Sequence, residues 1–257
     1  MNGAFYIGAT GLDAQQRALN VIANNIANIN TPAFKRSTAR FADLVAVNRD
    51  GNDLPLVQRE RSSFFSGASI QATPHVWTQG DLKQTGSALD LAIDGDGFVE
   101  LMGPAGQILL SRGGTLRVNS DGYLAVADGT PLRSMISVPD EATNLVIARD
   151  GTVTAFVNGE TQATEIGKID LVTVRDPDIL TDRGAGYYEI SDDSLTSNAE
   201  PGNNGAGTFL QGALEQGNVK LSDEMVTLLL LQRAYAANAQ VVQAGDQLMG
   251  LVNGLRR

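Results

Sequence analysis

Two apolar stripes, one at each end of the 257-residue chain, constrain its fold more than any other feature. Near the N-terminus the positions Phe5, Gly8, Leu12, Gln15, Leu19, Ile22, Ile26 and Ile29 follow alternating three- and four-residue steps, and six of the eight are apolar. That spacing predicts an amphipathic helix with a narrow coiled-coil seam. Gly3, Gly8 and Gly11 weaken it by about 1 kcal/mol each relative to alanine, so the helix is marginal on its own. The C-terminal segment repeats the pattern from Ser222 onward, with Thr227, Leu230, Ala234, Ala237, Val241, Ala244, Leu248, Leu251 and Leu255 in the same steps. Ser222 followed by Asp223 and Glu224 starts that helix well, because anions suit its positive end, and Arg256 and Arg257 suit the other end.

Between the stripes the periodicity changes from that of a helix to that of strands. Asp-Gly pairs recur at 50–51, 94–95, 96–97, 121–122, 128–129 and 150–151, separated by short β-rich runs such as Leu89–Ile93, Phe98–Leu101, Tyr123–Val126 and Thr152–Val157. Asp-Gly between such runs is a strong hairpin signal. The predicted class is α+β: N- and C-terminal coiled-coil-like helices packed together, with an inserted antiparallel β domain of 8 to 11 strands. The predicted division is a terminal helical assembly domain (1–35 and 216–257), an extended polar connector (36–77, with Arg59 and Arg61) and a β-rich outer domain (78–215).

Charge follows the same division. The chain carries a net charge of -10. The terminal segments are close to neutral and the centre holds the acidic excess, which suits ends that pack on copies of themselves and a middle that faces water. An acidic surface repels phosphates, so nucleic acid is not an expected partner. No run of about 18 apolar residues is present, so no transmembrane helix is expected. The first residues lack the basic and continuous apolar regions of a cleaved signal peptide.

Little in the chain points to catalysis. There is no cysteine and a single histidine, His75. Thiolate zinc sites are excluded, and any Ser-His-Asp chemistry would depend on His75 in a polar connector. Asp94-Gly95-Asp96-Gly97 resembles the start of a calcium loop, but Ala105 stands where the bidentate glutamate belongs, and paired hairpin turns are the expectation. Asp170, Asp176 and Asp178 read as solvated loop charges and not as a glycosidase pair. No enzyme activity, cofactor or metal is expected.

One motif is longer than helix capping requires. In Ala23-Asn24-Asn25-Ile26-Ala27-Asn28-Ile29-Asn30-Thr31-Pro32-Ala33-Phe34-Lys35, asparagines end an apolar helix and Thr-Pro follows, which marks a helix exit and turn. The string resembles the ANNxANxxTxGFK signature of bacterial flagellar rod and hook proteins. Three further blocks resemble the same family in order. They are Thr78-Gln79-Gly80 through Gly95, Gly97 and Phe98; Ser111-Arg112-Gly113-Gly114 with Asp121-Gly122-Tyr123-Leu124; and Gly212-Ala213-Leu214-Glu215 with Asn218-Val219, Glu224-Met225-Val226 and Gln232-Arg233-Ala234-Tyr235-Ala236-Ala237-Asn238. The chain's length, its long 36–77 connector and its 144–151 and 201–207 segments resemble the distal-rod branch most. Three positions depart from the family pattern: Ala33 stands for its usual glycine, Gln216-Gly217 for a residue followed by serine, and Val99 for the second phenylalanine of GFF.

The resemblance implies a structural subunit that polymerises into a helical tube, transmits torque from motor to hook and encloses an export channel. It implies type III export without a cleaved signal, a place in the periplasm, and partners that are copies of the chain, proximal-rod proteins, the hook protein, outer ring bushing proteins and the export apparatus. The expected assembly face comprises Phe5, Leu12, Leu19, Ile22, Ile26 and Ile29 with Asn24, Asn25 and Asn28. At the other end it comprises Leu230, Ala234, Tyr235, Ala237, Val241, Leu248 and Leu251. Pro32, Phe34, Gly80, Gly95 and Gly97 are the expected turn and connector positions. The alternatives are a proximal-rod or hook-type relative and a secreted cell-wall hydrolase.

Overall fold

The computed structural model describes residues 2–46, 64–104, 106–157, 163–190, 196–203 and 205–254. Asp50-Gly51, Arg59, Arg61, Ala105, Leu255, Arg256 and Arg257 lie outside the described residues. The chain divides into two compact units: residues 1–27, 37–75 and 220–257, and residues 28–36 and 76–219.

The first unit is built on two long helices, α1 (Asn2–Ala27) and α2 (Leu221–Gly254). α1 ends at Ala27, between its asparagines and Thr-Pro: the Thr31 amide donates to Asn28 O at 3.0 Å, and Pro32 cannot continue a helix. At the start of α2 the amides of Asp223 and Glu224 both donate to Lys220 O, with the two anions in the first turn. The helices run antiparallel and pack closely through small residues. A Cβ at Gly8 would lie 2.5 Å from Val242 Cγ2, and one at Gly11 3.1 Å from Asn238 Nδ2. At the other end Asn25 meets Glu224. The 36–77 stretch, expected as an extended connector, carries an antiparallel pair, β1 (Arg40–Ala46) and β2 (Phe64–Ala72). β2 packs on α1 at Gly67, where a Cβ would lie 2.0 Å from Thr10 Oγ1. Neither Arg40–Ala46 nor Phe64–Ala72 alternates cleanly between apolar and polar residues, which hid that pairing.

The second unit contains fifteen strands among the described residues, more than the 8 to 11 expected. They are β3 (Leu82–Gln84), β4 (Asp90–Asp94), β5 (Phe98–Met102), β6 (Ile108–Ser111), β7 (Gly113–Val118), β8 (Leu124–Val126), β9 (Ala142–Ile147) and β10 (Thr152–Val157). There follow β11 (Thr164–Lys168), β12 (Leu171–Val174), β13 (Thr181–Gly184), β14 (Tyr187–Glu189), β15 (Thr196–Ala199), β16 (Thr208–Gln211) and β17 (Ala213–Glu215). A six-stranded sheet has the order β13-β14-β6-β5-β12-β15, a four-stranded one β16-β4-β7-β8, a three-stranded one β11-β10-β9, and β17 pairs with β3.

The six-stranded sheet is covered on both faces, and period-two alternation shows how. Val99, Leu109 and Leu171 point into one core with Ile93, Leu124, Val153 and Phe209. Their neighbours Phe98, Leu110 and Val172 point into another with Leu180, Tyr188 and Ile190, against which Trp77 packs. Asp121-Gly122 and Asp150-Gly151 close antiparallel turns as expected, at β7–β8 and β9–β10. Asp94-Gly95-Asp96-Gly97 does not form the paired hairpin turns expected of it. β4 belongs to the four-stranded sheet and β5 to the six-stranded one, so this segment carries the chain from one sheet to the other. Gly95 (φ 109°) and Gly97 (φ 139°) adopt angles that residues with a Cβ rarely tolerate.

Candidate assembly interface

α2 is apolar on two sides. Toward α1 it presents Glu224, Leu228, Leu231, Asn238 and Val242, all buried or half-buried. Its other side carries Met225 (54% exposed), Val226 (58%), Leu229 (55%), Leu230 (61%), Val241 (58%), Leu248 (61%) and Leu251 (67%). A helix apolar all round is normally enclosed by other structure. The stripe read from the sequence, Leu230 through Leu251, therefore lies on the uncovered side. Of its other members, Ala237 is exposed, Tyr235 just exposed and Ala234 half-buried.

On α1 the residues are divided differently. Ile22 and Asn25 are buried, Leu12, Leu19 and Ile26 half-buried, and Asn24 exposed. Phe5 lies in α1, its side chain outside those described. Ala14 and Ala18, which the heptad reading passed over, are the most buried apolar residues of the helix. Asn28 and Ile29 fall in the second unit, both half-buried.

Two buried polar hubs hold the ends of these segments. In the first unit Asn25 has no exposed surface. Its Nδ2 donates to Glu224 Oε2 (3.2 Å) and to Ser37 O (2.8 Å), and its Oδ1 accepts from the Ser37 amide (3.0 Å). Ser37 Oγ in turn lies 3.2 Å from His75 Nδ1. One asparagine therefore ties α1, α2 and the connector together.

The second hub lies in the β unit and centres on the buried carboxylate of Glu215. Oε1 accepts from Lys35 Nζ (2.6 Å) and the Gly80 amide (2.9 Å), and Oε2 from Arg112 Nε (3.2 Å). Lys35 also donates to Thr78 O, and Arg112 to the carbonyls of Gly97 (2.6 Å) and Gly95 (2.7 Å). Arg112 thus fixes the sheet-to-sheet crossover through its backbone. Burial holds the Lys35 ammonium below its ordinary pKa, while the Glu215 carboxylate acts in the opposite direction.

Beside this hub, Asn218 accepts from the Arg36 amide (2.7 Å) and donates to Val76 O (2.7 Å) and Thr78 O (2.9 Å). The Ala33 amide donates to Glu215 O, and the Asn218 amide to Phe34 O. The segment leaving α1 and the segment entering α2 therefore run side by side. Ala33 has φ 59°, the left-handed angle that a glycine would take without strain. Gly217 sits against the α1 exit: a Cβ there would come within 3.2 Å of Ile29 O and 3.3 Å of Asn28 O. Pro32 is exposed and Phe34 half-buried at this turn. Among the described residues no group of three or more His, Asp or Glu side chains is placed to hold a metal ion.

Comparison with known proteins explains why these positions coincide with the sequence blocks. Residues 5–35 match the family described as "Flagella basal body rod protein", residues 92–155 the "Flagellar hook protein FlgE/F/G D1 domain", and residues 210–255 the "Flagellar basal body rod FlgEFG protein C-terminal". The "Flagellar basal-body rod protein FlgG" of Buchnera aphidicola (strain APS) is 34% identical over 251 residues, 96% of each chain. The protein of that name from Borreliella burgdorferi is 31% identical over the whole of both chains. The chain belongs to the flagellar basal-body rod and hook family. That family is structural, and the chain is not an enzyme. Its place is the flagellar basal body.

Each block that carried the resemblance supplies at least one member of a hub. Asn25 and Lys35 come from the first, Gly80, Gly95 and Gly97 from the second, Arg112 from the third, and Glu215, Asn218 and Glu224 from the last. The sequence blocks contain every one of these residues, yet local spacing assigns no role to Lys35, Arg112, Glu215 or Asn218 and gives Glu224 only that of an anion at a helix start. The available signal was the charged or amide side chain inside an otherwise apolar or glycine-rich block.

Proposed function

We propose that this rod-family subunit polymerises, as a distal-rod component, into a helical tube whose inner layer is a coiled-coil packing of terminal helices from many copies. The observation that carries the reading is the uncovered apolar side of α2. Its seven residues expose roughly 700 Å² between them at about 100 Å² each, beyond the few hundred Å² usual for a monomer's largest patch and close to the ~800 Å² per partner of a standard interface. Charge supports the same orientation. The helical unit carries nine Lys and Arg against eight Asp and Glu, whereas the β unit carries ten against twenty-one. Copies can approach through the first without repulsion and keep the second in water.

In this reading the tube encloses the export channel and transmits torque toward the hook. It sits in the periplasm inside the outer ring bushing, between proximal-rod proteins and the hook protein, after type III export without a cleaved signal. The helices stay incomplete until assembly. Gly3, Gly8, Gly11, Gly245, Gly250 and Gly254 all fall at the end of the helix pair away from the Asn25–Glu224 hub, and each costs about 1 kcal/mol of helix stability. Full helical circular dichroism in a dilute monomer would refute that point.

The decisive test is Leu230→Asp and Leu248→Asp in cells. Both are expected to abolish swimming and incorporation into purified basal bodies while the Trp77 fluorescence of the β unit stays native. Swimming at the normal rate by both variants would overturn the reading. A third relative, the "Flagellar hook-basal body complex protein FlhP" of Bacillus subtilis, is 24% identical over 96% of this chain and 97% of its own, and it favours keeping a paralogous axial position as the alternative. Counting copies per basal body by quantitative mass spectrometry separates the two: tens for a distal rod, a handful for a proximal or adaptor subunit.

A further inference from the structure

An apolar groove of about 480 Å³ opens in the helical unit, and none of the described residues fills it. Ile7 and Val241 form its rims, Gly8, Gly11, Gly67 and Ala68 its floor, and Asp43 and Asn238 its polar margin. The floor is open because its residues are three glycines and an alanine, and the glycines are fixed by close packing on their other side. A Cβ at Gly8, Gly11 or Gly67 would press into Val242, Asn238 or Thr10. One rim residue, Val241, also belongs to the uncovered side of α2, so the groove continues the surface assigned to assembly.

The same helix carries what the groove lacks. Met225, Val226, Leu229 and Leu230 form a knob of four side chains, each more than half exposed. One turn further on is Arg233, which is exposed, as Asp43 is on the groove margin. Among the described residues neither Arg233 nor Asp43 has an ion pair or a side-chain hydrogen bond within its own subunit. An apolar knob beside a free cation thus complements an apolar groove beside a free anion.

We infer that the groove receives the Met225–Leu230 knob of a second copy of this chain, with Arg233 of one copy set against Asp43 of the next. The knob and groove are different surfaces, so the contact is heterologous: each copy uses its groove on one neighbour and its knob on another, and the series stays open. This inference rests on the assembly reading and adds to it a pair of partner surfaces and a direction.

The chain has no cysteine, so the contact can be tested by single thiols in the full-length protein. Asp43→Cys and Arg233→Cys are both exposed and alter no packing. Cells expressing both variants, treated with a short bis-maleimide after basal bodies are purified, are expected to give a mixed dimer. Cells expressing either variant alone are expected to give none. Basal bodies that contain both variants but yield no mixed dimer overturn the inference and leave the assembly reading standing. A dimer from one variant alone also overturns it, because that outcome means a symmetric contact. Absence of the wild-type chain from basal bodies would sink the assembly reading itself. A charge exchange provides an independent arm. Asp43→Arg and Arg233→Asp are each expected to lower the copies per basal body severalfold, and the double variant to restore them, since like charges forced together across an interface cost far more than a surface pair gains. Failure of the double variant to recover would count against the Arg233–Asp43 pairing.

Discussion

Replacing Glu215 by glutamine removes one charge and almost no volume, which makes it the cleanest perturbation of the β unit. The carboxylate is buried and faces two cations, Lys35 Nζ at 2.6 Å and Arg112 Nε at 3.2 Å, with side chains 1% and 4% exposed. Taking away one member of a buried ion pair costs about 3–5 kcal/mol, because the remaining charge stays desolvated without a counter-ion. Here two cations are left, and Arg112 cannot move away without releasing the Gly95 and Gly97 carbonyls. A loss of that size is a large share of the roughly 5–15 kcal/mol that stabilises a domain, and at about 2–4 °C per kcal/mol it lowers the melting temperature by about 6–20 °C. Trp77, the only tryptophan, reports on this unit directly: its ring lies edge-on to Tyr188 at 4.8 Å and to Phe98 at 5.7 Å. Urea unfolding followed by Trp77 fluorescence is therefore the assay. The exposed Asp13–Arg17 pair on α1 supplies a scale, since an i,i+4 surface pair is worth only about 0.3–0.5 kcal/mol. Adding Lys35→Met to Glu215→Gln should recover part of the loss by removing one orphaned cation. A Glu215→Gln variant within about 1 kcal/mol of wild type, or a double variant whose loss is the sum of the singles, would refute the view that this network is closed and charged.

Three other outcomes follow from the same geometry. Asn25→Ala leaves Ser37's backbone groups and the Glu224 carboxylate without their amide partner. It is expected to cost about 2–3 kcal/mol of helix-pair stability, read by thermal circular dichroism at 222 nm; a change under 0.5 kcal/mol would show the hub to be dispensable. Ala33→Gly removes left-handed strain of about 1–2 kcal/mol but also a buried methyl worth about 0.8 kcal/mol, so the urea midpoint is expected to rise slightly or hold, and a marked fall would contradict the strain argument. Lys35 binds its proton less tightly folded than unfolded, so its contribution to stability is greatest above its ordinary pKa of 10.5 and is lost as pH falls toward the depressed folded value. Wild type is accordingly expected to gain stability over Lys35→Met as pH approaches 10.5 from below, and parallel pH profiles for the two would rule this out.

How much of this was legible depended on the range over which each signal acts. The helices announced themselves through local spacing and caps, and several strands through Asp-Gly turns that act over two residues. β13 was missed because all four of its residues, Thr181–Gly184, are exposed and polar, so no alternation marks it. The β1–β2 pair was missed because neither strand alternates cleanly between apolar and polar residues. On α2 the sequence offered two apolar stripes and no means of choosing between them. The expected stripe holds Leu230, Val241, Leu248 and Leu251, which are exposed, and Leu228, Leu231 and Val242 are half-buried. A helix with one side packed inside its own chain and another side left open carries no single periodic signal.

The hubs were illegible for a different reason: Lys35 and Glu215 lie 180 positions apart, and no local pattern joins them. What the sequence did contain was a set of blocks whose conspicuous polar residues had no assigned task. Their task is register. One carboxylate holds the α1 exit through Lys35, the approach to β3 through the Gly80 amide, and the sheet crossover through Arg112; one amide, Asn218, holds the chain at Arg36, Val76 and Thr78. Well-packed apolar side chains could fill the same volume, often at no loss of stability. They could not distinguish one backbone amide or carbonyl from the next along a strand, whereas each of these hydrogen bonds is satisfied at a single position. In a chain whose end segments must leave and re-enter the β unit side by side, a slip of one residue on either would turn the buried side chains outward. The polar blocks prevent that slip, and so the most specific part of this sequence is spent on joints and not on a site of chemistry.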